Sequence, residues 1–502
     1  MTHRRSFLRK VIYVAVMAGL LLPIYWLARP SVSDAGGEGD PGGVLAQLRD
    51  RYQLGQASLG EIDPAGETIK LSLLGMRGIA ANVLWTKAAD FQKRKDWDGV
   101  SATLEQIAKV QPNFVSVWVY QAWNLSYNCA AEFDDCRERY QWVIKGINYL
   151  KEGIRHNSRE PSLQYDIGKT CAMKIGRADE TKLYRKLFQD DNDFHGSTPP
   201  ADRDNWRVGR KWFLEAERLV DHEGAVFRGV SPLIYRSSAP LSLLYYAVAK
   251  ENDGVFGEAA RRAWRAGADD WDRYGTIDIP VIDKIIRLGE KEVLDERVRQ
   301  LRAELDATQP DLRDKLSAAK RARLSAEQRK ALDTPPNRRT PQQKALAAQG
   351  EAILRVGDAE LARQVPLVRR KRAQELSGQI AETEETIATI QKNRDAVGWY
   401  HWKWRAQWEQ EDETLHARVE IYAGDQAFTD ARVVPARAAY DRGLASWRKV
   451  LDRHPYLVVE RATSSELMEI VNRYKEILSK REEKLPPNFI LNDVVKANAD
   501  AK

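Results

Sequence analysis

Apolar residues recur at steps of three and four along most of the chain, which is the spacing of side chains on one face of an α-helix. This spacing predicts one helix from Ile79 to Phe91 and a second from Val100 to Ala108, which ends at Pro112. The segment Asp96-Trp97-Asp98-Gly99 predicts the turn between them. No segment has the sustained alternation that is typical of a β-strand. The pattern therefore predicts an all-α protein.

Helix–turn–helix units of this kind recur along the sequence and are separated by Pro or Gly turns. Two helices followed by proline have the form of a tetratricopeptide unit, although the spacing drifts from a strict repeat of about 34 residues. We therefore expect degenerate units, with residues 190–204 as an inserted loop. The side chains expected to pack within the units are Ala88, Phe91, Leu104, Tyr165, Gly168, Ala436 and Tyr440. Such pairs stack into an α-solenoid whose concave face suits peptides or partner proteins.

Residues 285–396 are highly charged and carry two apolar seams. The first seam is Leu294, Val298, Leu301 and Leu305, and the second is Leu376, Ile380, Thr383, Ile387, Ile390, Arg394 and Val397. Steps of three and four predict coiled-coil-like long helices. Prolines within 333–342 must interrupt them, so we expect two helices that fold back as an antiparallel arm. Two ordinary long helices lying on the repeats are the alternative.

The first thirty residues have the pattern of a membrane anchor. The basic residues Arg4, Arg5, Arg9 and Lys10 precede an uncharged segment, 11–28. As a helix it would rise about 27 Å, close to the ~30 Å of a hydrocarbon core. Tyr25 and Trp26 stand near its far end, where aromatic rings favour the interface. A cleaved signal peptide, with its best site at Ser33-Asp34-Ala35, and a buried core helix are the alternatives.

These patterns define the expected domains and their location. Basic residues before the anchor predict a cytoplasmic N-terminus, so the bulk of the chain would be extracytoplasmic, on a single-pass protein of a bacterial inner membrane. The predicted segments are a cytoplasmic segment 1–10, a transmembrane signal-anchor 11–28, a flexible linker 29–68, a helical repeat domain 69–284, an arm 285–396 with its break at 333–342, a C-terminal helical hairpin 397–485 and a tail 486–502.

Composition argues against a nucleic-acid partner and against a cofactor. The 502 residues include 79 Lys and Arg against 72 Asp and Glu, and the two signs are interleaved along the sequence. Nucleic-acid binders concentrate positive charge on one face. The three cysteines lack the paired spacing of zinc or haem sites. We expect no nucleic acid, no metal and no cofactor.

Each fragment of a catalytic or metal-binding motif lacks a required part. The segment Ile167-Gly168-Lys169-Thr170 ends like a phosphate-binding loop, but Leu163 stands where that loop needs glycine. Asp190, Asp191, Asp193 and His195 offer four potential ligands, but Gly196 and the following Ser-Thr-Pro-Pro break the order of carboxylates, glycine and distal glutamate that a calcium loop needs, which favours a solvated loop. Because no catalytic motif is complete, we expect that the chain is not an enzyme.

Cys129 and Cys136 are candidates for a disulfide. On one continuous helix their Cα atoms would lie about 10.5 Å apart, too far for a bond. A turn within 130–135 would bring them closer, and an exported domain permits oxidation. Cys171 would then be left over.

The segment Trp399–Trp408 alternates aromatic and basic residues. Such a segment could stack bases, lie at a membrane interface or present tryptophans to sugars. Positions 400, 404 and 408 fall on one helical face, as do 399 and 402. This arrangement favours a helix that packs on two sides.

Three segments, 74–85, 224–234 and 399–408, resemble an uncharacterised planctomycete-type family of signal-anchored, tetratricopeptide-like proteins. Some members carry an "iron responsive element" label, but neither the cysteine spacing nor the helical pattern here provides for an iron–sulfur cluster. The resemblance implies an envelope protein without an assigned reaction.

We therefore expect a membrane-tethered extracytoplasmic scaffold that binds other proteins, with possible self-association through 285–396. The alternative is a cell-wall or carbohydrate-binding module that uses exposed tryptophans. A less favoured third hypothesis is an envelope enzyme, which a deep pocket of carboxylates or histidines with shifted pKa values would support.

Overall fold

The computed structural model describes residues 77–499, together with the isolated positions 19, 23, 26, 27, 29, 43, 44 and 47. The chain divides into two compact units, unit 1 (Met1–Ser231) and unit 2 (Pro232–Lys502), each described by itself. The protein is 79% helical, with 21 α-helices among the described residues. The all-α prediction is confirmed, and the arrangement is that of a helical-repeat protein such as an α-solenoid.

Among the described residues, no helix is long and apolar enough to span a membrane. The predicted anchor at 11–28 falls mostly outside the described residues, as do Arg4, Arg5, Arg9, Lys10 and Tyr25. Trp26 is described, and its side chain is exposed.

Unit 1 consists of successive helix pairs. Its helices are α1 (Arg77–Lys93), α2 (Trp97–Val110), α3 (Val115–Trp123), α4 (Cys136–His156), α5 (Pro161–Lys169), α6 (Thr181–Asp190), α7 (Asn192–His195) and α8 (Asn205–Glu223). A π-helix follows α3 at Asn124–Cys129 and another follows α5 at Thr170–Ile175. The principal pairs are α1 with α2, α3 with α4, and α5 with α8. The predicted insertion at 190–204 is occupied by α7 and a short 3₁₀ turn, Pro200–Asp202.

The first helices of two successive pairs have the same construction. Both α3 and α5 are 9 residues long and continue into a π-helix of 6 residues. They begin at Val115 and Pro161, 46 positions apart. The first helix of a pair therefore recurs after 46 positions, which is longer than the repeat of about 34 residues expected from the sequence.

Small residues allow the helices of each pair to approach closely. A Cβ atom added to Gly146 of α4 would lie 2.7 Å from the carbonyl oxygen of Ala122. A Cβ atom added to Gly168 of α5 would lie 2.7 Å from a ring carbon of Phe213 and 2.9 Å from the carbonyl oxygen of Gly209 on α8. Ala122 and Gly168 are also 46 positions apart, so the small residue recurs at the same place in each pair.

Unit 2 begins with a helix pair and a short hairpin. Its helices are α9 (Pro232–Asn252), α10 (Glu258–Thr276), α11 (Lys291–Thr308), α12 (Leu312–Ala322), α13 (Ala326–Asp333), α14 (Pro341–Leu354), α15 (Asp358–Gln364), α16 (Leu367–Val397), α17 (Trp399–Trp408), α18 (Asp412–Thr429), α19 (Val433–Arg453), α20 (Arg461–Ser479) and α21 (Asn492–Ala499). Strands β1 (Ile279–Val281) and β2 (Lys284–Ile286) pair antiparallel. The expectation of no strand is wrong here, because two strands of 3 residues are too short to show an alternating pattern.

The charged segment 285–396 contains two long helices, α11 and α16, that pack against each other. They run antiparallel, since Glu292 pairs with Arg394 at one end and Glu304 pairs with Arg372 towards the other. Most of the predicted seam residues of both helices are buried, including Leu301 of α11. The segment between them forms four shorter helices, with the proline-rich break in a 3₁₀ turn at Pro336–Arg338.

Arg394, a predicted seam position near the end of α16, is almost completely buried. Its guanidinium donates to both carboxylate oxygens of Glu292, at 2.6 and 2.7 Å, and to the carbonyl oxygen of Leu288 at 2.6 Å. It also lies over the rings of Trp399 and Tyr400. This buried cation joins the ends of α11, α16 and α17.

Candidate functional site

A cleft of about 760 Å³ lies between the first helices of two successive pairs in unit 1. One wall is α3 with its π-helix, and the other is α5 with its π-helix. The floor includes Leu150 of α4, and Arg228 lies at the margin. The lining residues of α5 and its π-helix, Ser162, Asp166, Lys169 and Thr170, are spaced as one face of a helix. Since concave grooves of this size are the usual form of ligand sites, the cleft is the candidate functional site.

The wall formed by α3 is aromatic. The rings of Tyr120 and Trp123 have centroids 6.0 Å apart, and those of Trp123 and Tyr127 are stacked at 6.0 Å with an interplanar angle of 21°. The Trp123 side chain is 46% exposed, which is unusual for an indole within a helical core. The ammonium of Lys174 lies 4.6 Å from the Tyr127 ring centroid, so one face of this ring already carries a cation.

A π-helix follows Trp123. Residues four positions apart already lie on the same face of an α-helix, and the wider turn of the π-helix shifts the register of the side chains that come after it. Trp123 and Tyr127 are four positions apart at the start of the π-helix Asn124–Cys129. π-Bulges are frequent at functional sites. The second π-helix begins at Thr170, whose hydroxyl donates to the backbone carbonyl of Asp166 at 2.8 Å.

The wall formed by α5 is polar and charged. Burial raises the pKa of the Asp166 carboxyl to about 6, and the nearby ammonium of Lys169 only partly opposes this shift. Among the described residues, none donates a hydrogen bond to this carboxylate or forms an ion pair with it. Burial, followed by the Asp166 charge, raises the pKa of Tyr127, which places Asp166 near the aromatic wall. Asp166 is therefore a carboxylate held partly out of water without a donor.

Two other partly or fully buried carboxylates of unit 1, Asp204 and Asp191, have donors. Asp204 accepts from Arg185 at 3.0 Å and from the backbone N–H of Trp206 at 2.9 Å. Asp191 accepts from the hydroxyl of Tyr140 at 2.7 Å and from the backbone N–H of Phe194 at 2.8 Å. Asp166 differs from these two because none of the described residues donates to it, so its carboxylate is open to a donor from solvent or from a ligand.

The residues predicted to pack the repeats lie in cores and not in the cleft. Ala88 and Leu104 are buried in unit 1, with Phe91 partly buried beside them. The ring of Tyr165 lies 5.1 Å from that of Phe213, on the α8 side of α5. In unit 2, Ala436 and Tyr440 of α19 are buried against α18. The helical spacing of the sequence thus predicted the face of α5 that packs in the core, but not the opposite face, which lines the cleft.

The three cysteines of unit 1, Cys129, Cys136 and Cys171, are free and buried. The possible disulfide between Cys129 and Cys136 is not formed in the structure. Cys129 lies in the π-helix after α3 and Cys136 begins α4, so the chain does turn between them. Burial raises the pKa of all three thiols, to about 12 for Cys171. Such thiols are poor nucleophiles.

Among the described residues, no group of three or more His, Cys, Asp or Glu side chains is arranged to hold a metal ion. In the acidic loop, Asp191 caps α7, and a ring nitrogen of His195 lies 2.7 Å from the carbonyl oxygen of Phe188.

The tryptophan-rich segment forms α17 in unit 2. Trp399 and Trp408, at its two ends, are fully buried, whereas Trp404 is 38% exposed and lies 5.1 Å from the ring of Tyr456. The segment therefore packs into the core of unit 2, as the spacing of its aromatic positions predicted.

A second cluster of charged groups is buried in unit 2. Arg418 donates to Glu409 at 2.6 Å and pairs with Glu466, and Arg405 pairs with both carboxylates at 3.1 Å. Glu251 accepts from the indole N–H of Trp264 at 2.9 Å. Burial and the Glu409 charge raise the pKa of Glu251 well above its ordinary range. Arg418 also lies 3.8 Å from Glu251, so three carboxylates face two guanidinium groups, and the raised pKa of Glu251 favours its neutral form in this cluster.

No protein-family model matches this sequence, and a search of curated proteins likewise found no significant match.

Proposed function

We propose that this protein is a membrane-tethered, extracytoplasmic scaffold that binds a segment of a partner polypeptide in the cleft of unit 1. The observation that carries the proposal is the cleft itself, about 760 Å³ between equivalent helices of two successive pairs. A groove with an aromatic wall and a polar wall is complementary to an extended peptide, because peptides present apolar side chains and unpaired backbone groups. The tetratricopeptide-like resemblance agrees with this assignment.

Site-specific photocrosslinking in native cells tests the proposal. A photoreactive residue at Ser116, which is exposed and lines the cleft, should give discrete adducts with one or a few proteins. The matched control is the same residue at Lys211, which is exposed on α8 and does not line the cleft. Adducts from position 116 should be lost when Trp123 is also replaced by alanine. Equal adduct patterns from both positions, or adducts that persist in the Trp123→Ala chain, would refute a cleft-bound partner.

The proposed membrane anchor is the uncharged segment 11–28 with its basic N-terminal flank. It predicts that a reporter fused after residue 10 is cytoplasmic and one fused after residue 60 is extracytoplasmic, while N-terminal sequencing finds the anchor retained. A cytoplasmic signal at both points would exclude export.

Self-association through 285–396 is a further part of the proposal. Leu367 and Val368, at the start of α16, expose most of their apolar surface. Sedimentation of the full chain should then depend on concentration, and the dependence should be weaker in a Leu367→Ser/Val368→Ser variant. Identical sedimentation of the two chains would remove this part of the proposal.

Carbohydrate binding is the second candidate, and the exposed indole of Trp123 beside hydroxyl and carboxylate groups favours it. Most other tryptophans of the described residues are buried or partly buried, and Trp26 and Trp404, which are also exposed, do not line this cleft, so the cleft is the favoured sugar site. Saturation-transfer NMR with chitotriose separates the two candidates. Transfer to the sugar that disappears in Trp123→Ala would favour the carbohydrate module over the peptide scaffold.

A further inference from the structure

We propose that the cleft of unit 1 selects a cationic side chain, the alkylammonium of lysine or the guanidinium of arginine, between Asp166 and the aromatic wall of α3. The inference rests on the proposed function and specifies the chemistry of the segment that binds.

The first support is the unsatisfied carboxylate. Asp166 lines the cleft, is partly buried and has no donor among the described residues. A charge held partly out of water without a partner is costly, and a ligand that supplies an ammonium or guanidinium removes this cost. The Asp166 carboxyl has a pKa near 6, so at neutral pH it is mostly ionised and available to a cation.

The second support is the aromatic wall. The negative face of an indole attracts cations, and Trp is the best aromatic side chain for this contact. Trp123 lines the cleft and is 46% exposed, so part of its side chain is open to a ligand even though Tyr120 and Tyr127 lie beside it. The protein itself uses this chemistry next to the cleft, because Lys174 lies 4.6 Å from the Tyr127 ring centroid.

The third support concerns the two cations that line the cleft, Lys169 and Arg228, which could in principle favour an anionic ligand instead. Both are exposed, so water already stabilises their charges and they gain little from an anionic ligand. Glu160, the other carboxylate that lines the cleft, already accepts from the Ser162 hydroxyl at 2.9 Å. Asp166 is less exposed than the two cations and has no donor among the described residues, so it gains more from pairing, and we assign the selective contact to Asp166.

The test compares three capped peptides on the purified full chain. The probes are acetyl-Gly-Lys-Gly-amide, the same peptide with norleucine, which has nearly the shape of lysine without its charge, and the same peptide with glutamate. Isothermal titration at pH 7.5 should show at least tenfold tighter binding of the lysine peptide than of either other peptide. This comparison needs no variant, so it is independent of effects on folding.

Two variants then locate the contact. Asp166→Asn should remove the preference for lysine over norleucine, and Trp123→Ala should weaken the binding of the lysine peptide at least tenfold. The matched controls are Asp134→Asn, an exposed carboxylate outside the cleft, and Trp404→Ala, a partly exposed indole of unit 2, and both should bind like the parent chain. Affinity for the lysine peptide should also fall from pH 7 to pH 5 as Asp166 is protonated, whereas a purely structural role of Asp166 predicts no such loss.

Several outcomes would overturn the inference. These are equal binding of the lysine and norleucine peptides, tightest binding of the glutamate peptide, no binding of any probe at millimolar concentration, or displacement of the lysine peptide by chitotriose. The photocrosslinking at Ser116 reports separately on whether any polypeptide occupies the cleft. Discrete crosslinks without lysine selectivity would overturn the cation assignment and leave the scaffold in place.

Discussion

Replacing Gly168 with alanine tests whether the close approach of α5 and α8 supports unit 1. The new Cβ would lie 2.7 Å from the ring of Phe213 and 2.9 Å from the backbone oxygen of Gly209. Phe213 is buried and the oxygen belongs to a helix backbone, so neither can move aside without moving α8. Overpacking of this kind costs about 1–3 kcal/mol, and the higher helix propensity of alanine returns about 0.5–1 kcal/mol. With the middle of each range, about 2 kcal/mol lost against about 0.75 kcal/mol gained, the expected net loss is about 1.3 kcal/mol.

Urea unfolding followed by circular dichroism, with hydrogen exchange of the α5 and α8 amides, measures this loss. In a thermal melt of the same chains, the melting temperature of a unit of this size should fall by about 1 to 8 °C. The control is Gly378→Ala in α16, where an added Cβ meets no atom within 4 Å and alanine should stabilise the helix by about 0.5–1 kcal/mol. If Gly168→Ala is as stable as the parent chain, or gains as Gly378→Ala does, the two helices do not need this contact.

The remaining predictions concern charge and thiol chemistry. Arg418→Ala leaves the Glu409 and Glu466 carboxylates buried without their main donor, so the free energy of unfolding in urea should fall by about 3–5 kcal/mol. The control Arg473→Ala removes an exposed side chain and should cost less than about 1 kcal/mol. Equal losses in the two variants would contradict a stabilising role for the cluster. Glu251→Gln should change the stability of unit 2 far less than Arg418→Ala, because a protonated Glu251 is already neutral, and a loss as large as that of Arg418→Ala would mean that Glu251 is charged. Folding raises the pKa of Asp166 from 3.8 to about 6, so the folded state keeps a proton that the unfolded state releases, and the free energy of unfolding should fall as pH rises through this window. The difference between the parent chain and Asp166→Asn isolates that slope, and parallel pH curves would contradict the raised pKa. The three buried thiols should react with a thiol reagent only after urea unfolds unit 1, so rapid modification of the native chain would argue against their burial.

The helices could be predicted from the sequence because the spacing of apolar residues along each helix is a local property. The prolines at 335, 336 and 341 break the helices where expected, and the two seams of residues 285–396 form the contact between α11 and α16. The sequence does not predict the hairpin at residues 279–286, because a strand of three residues is too short to show an alternating pattern. Its residues Ile279 and Ile286 are buried by contacts with neighbouring helices, which are not visible in the local sequence. The boundary between the units, after Ser231, falls inside the predicted repeat segment 69–284 because contacts between distant residues define it.

The cleft could not be predicted from the sequence, because the residues of its two walls are far apart in the chain and differ in type. Its two walls are brought together by the repeat of 46 positions, and at that offset Tyr120 corresponds to Asp166 and Trp123 to Lys169. At this offset the serines at 116 and 162 are the only identical residues of α3 and α5, and the residues at 122 and 168 are both small. The π-helices also shift the register of side chains within each wall, and their geometry has no simple residue signature.

Helices α3 and α5 have the same length and the same terminal π-helix, yet the faces that line the cleft differ in chemistry. One wall offers ring faces and the other offers charged groups. A segment bound between them would meet rings along one side and charges along the other, so turning the segment over would exchange its apolar and charged contacts. The difference between the two walls therefore fixes which side of such a segment faces each helix.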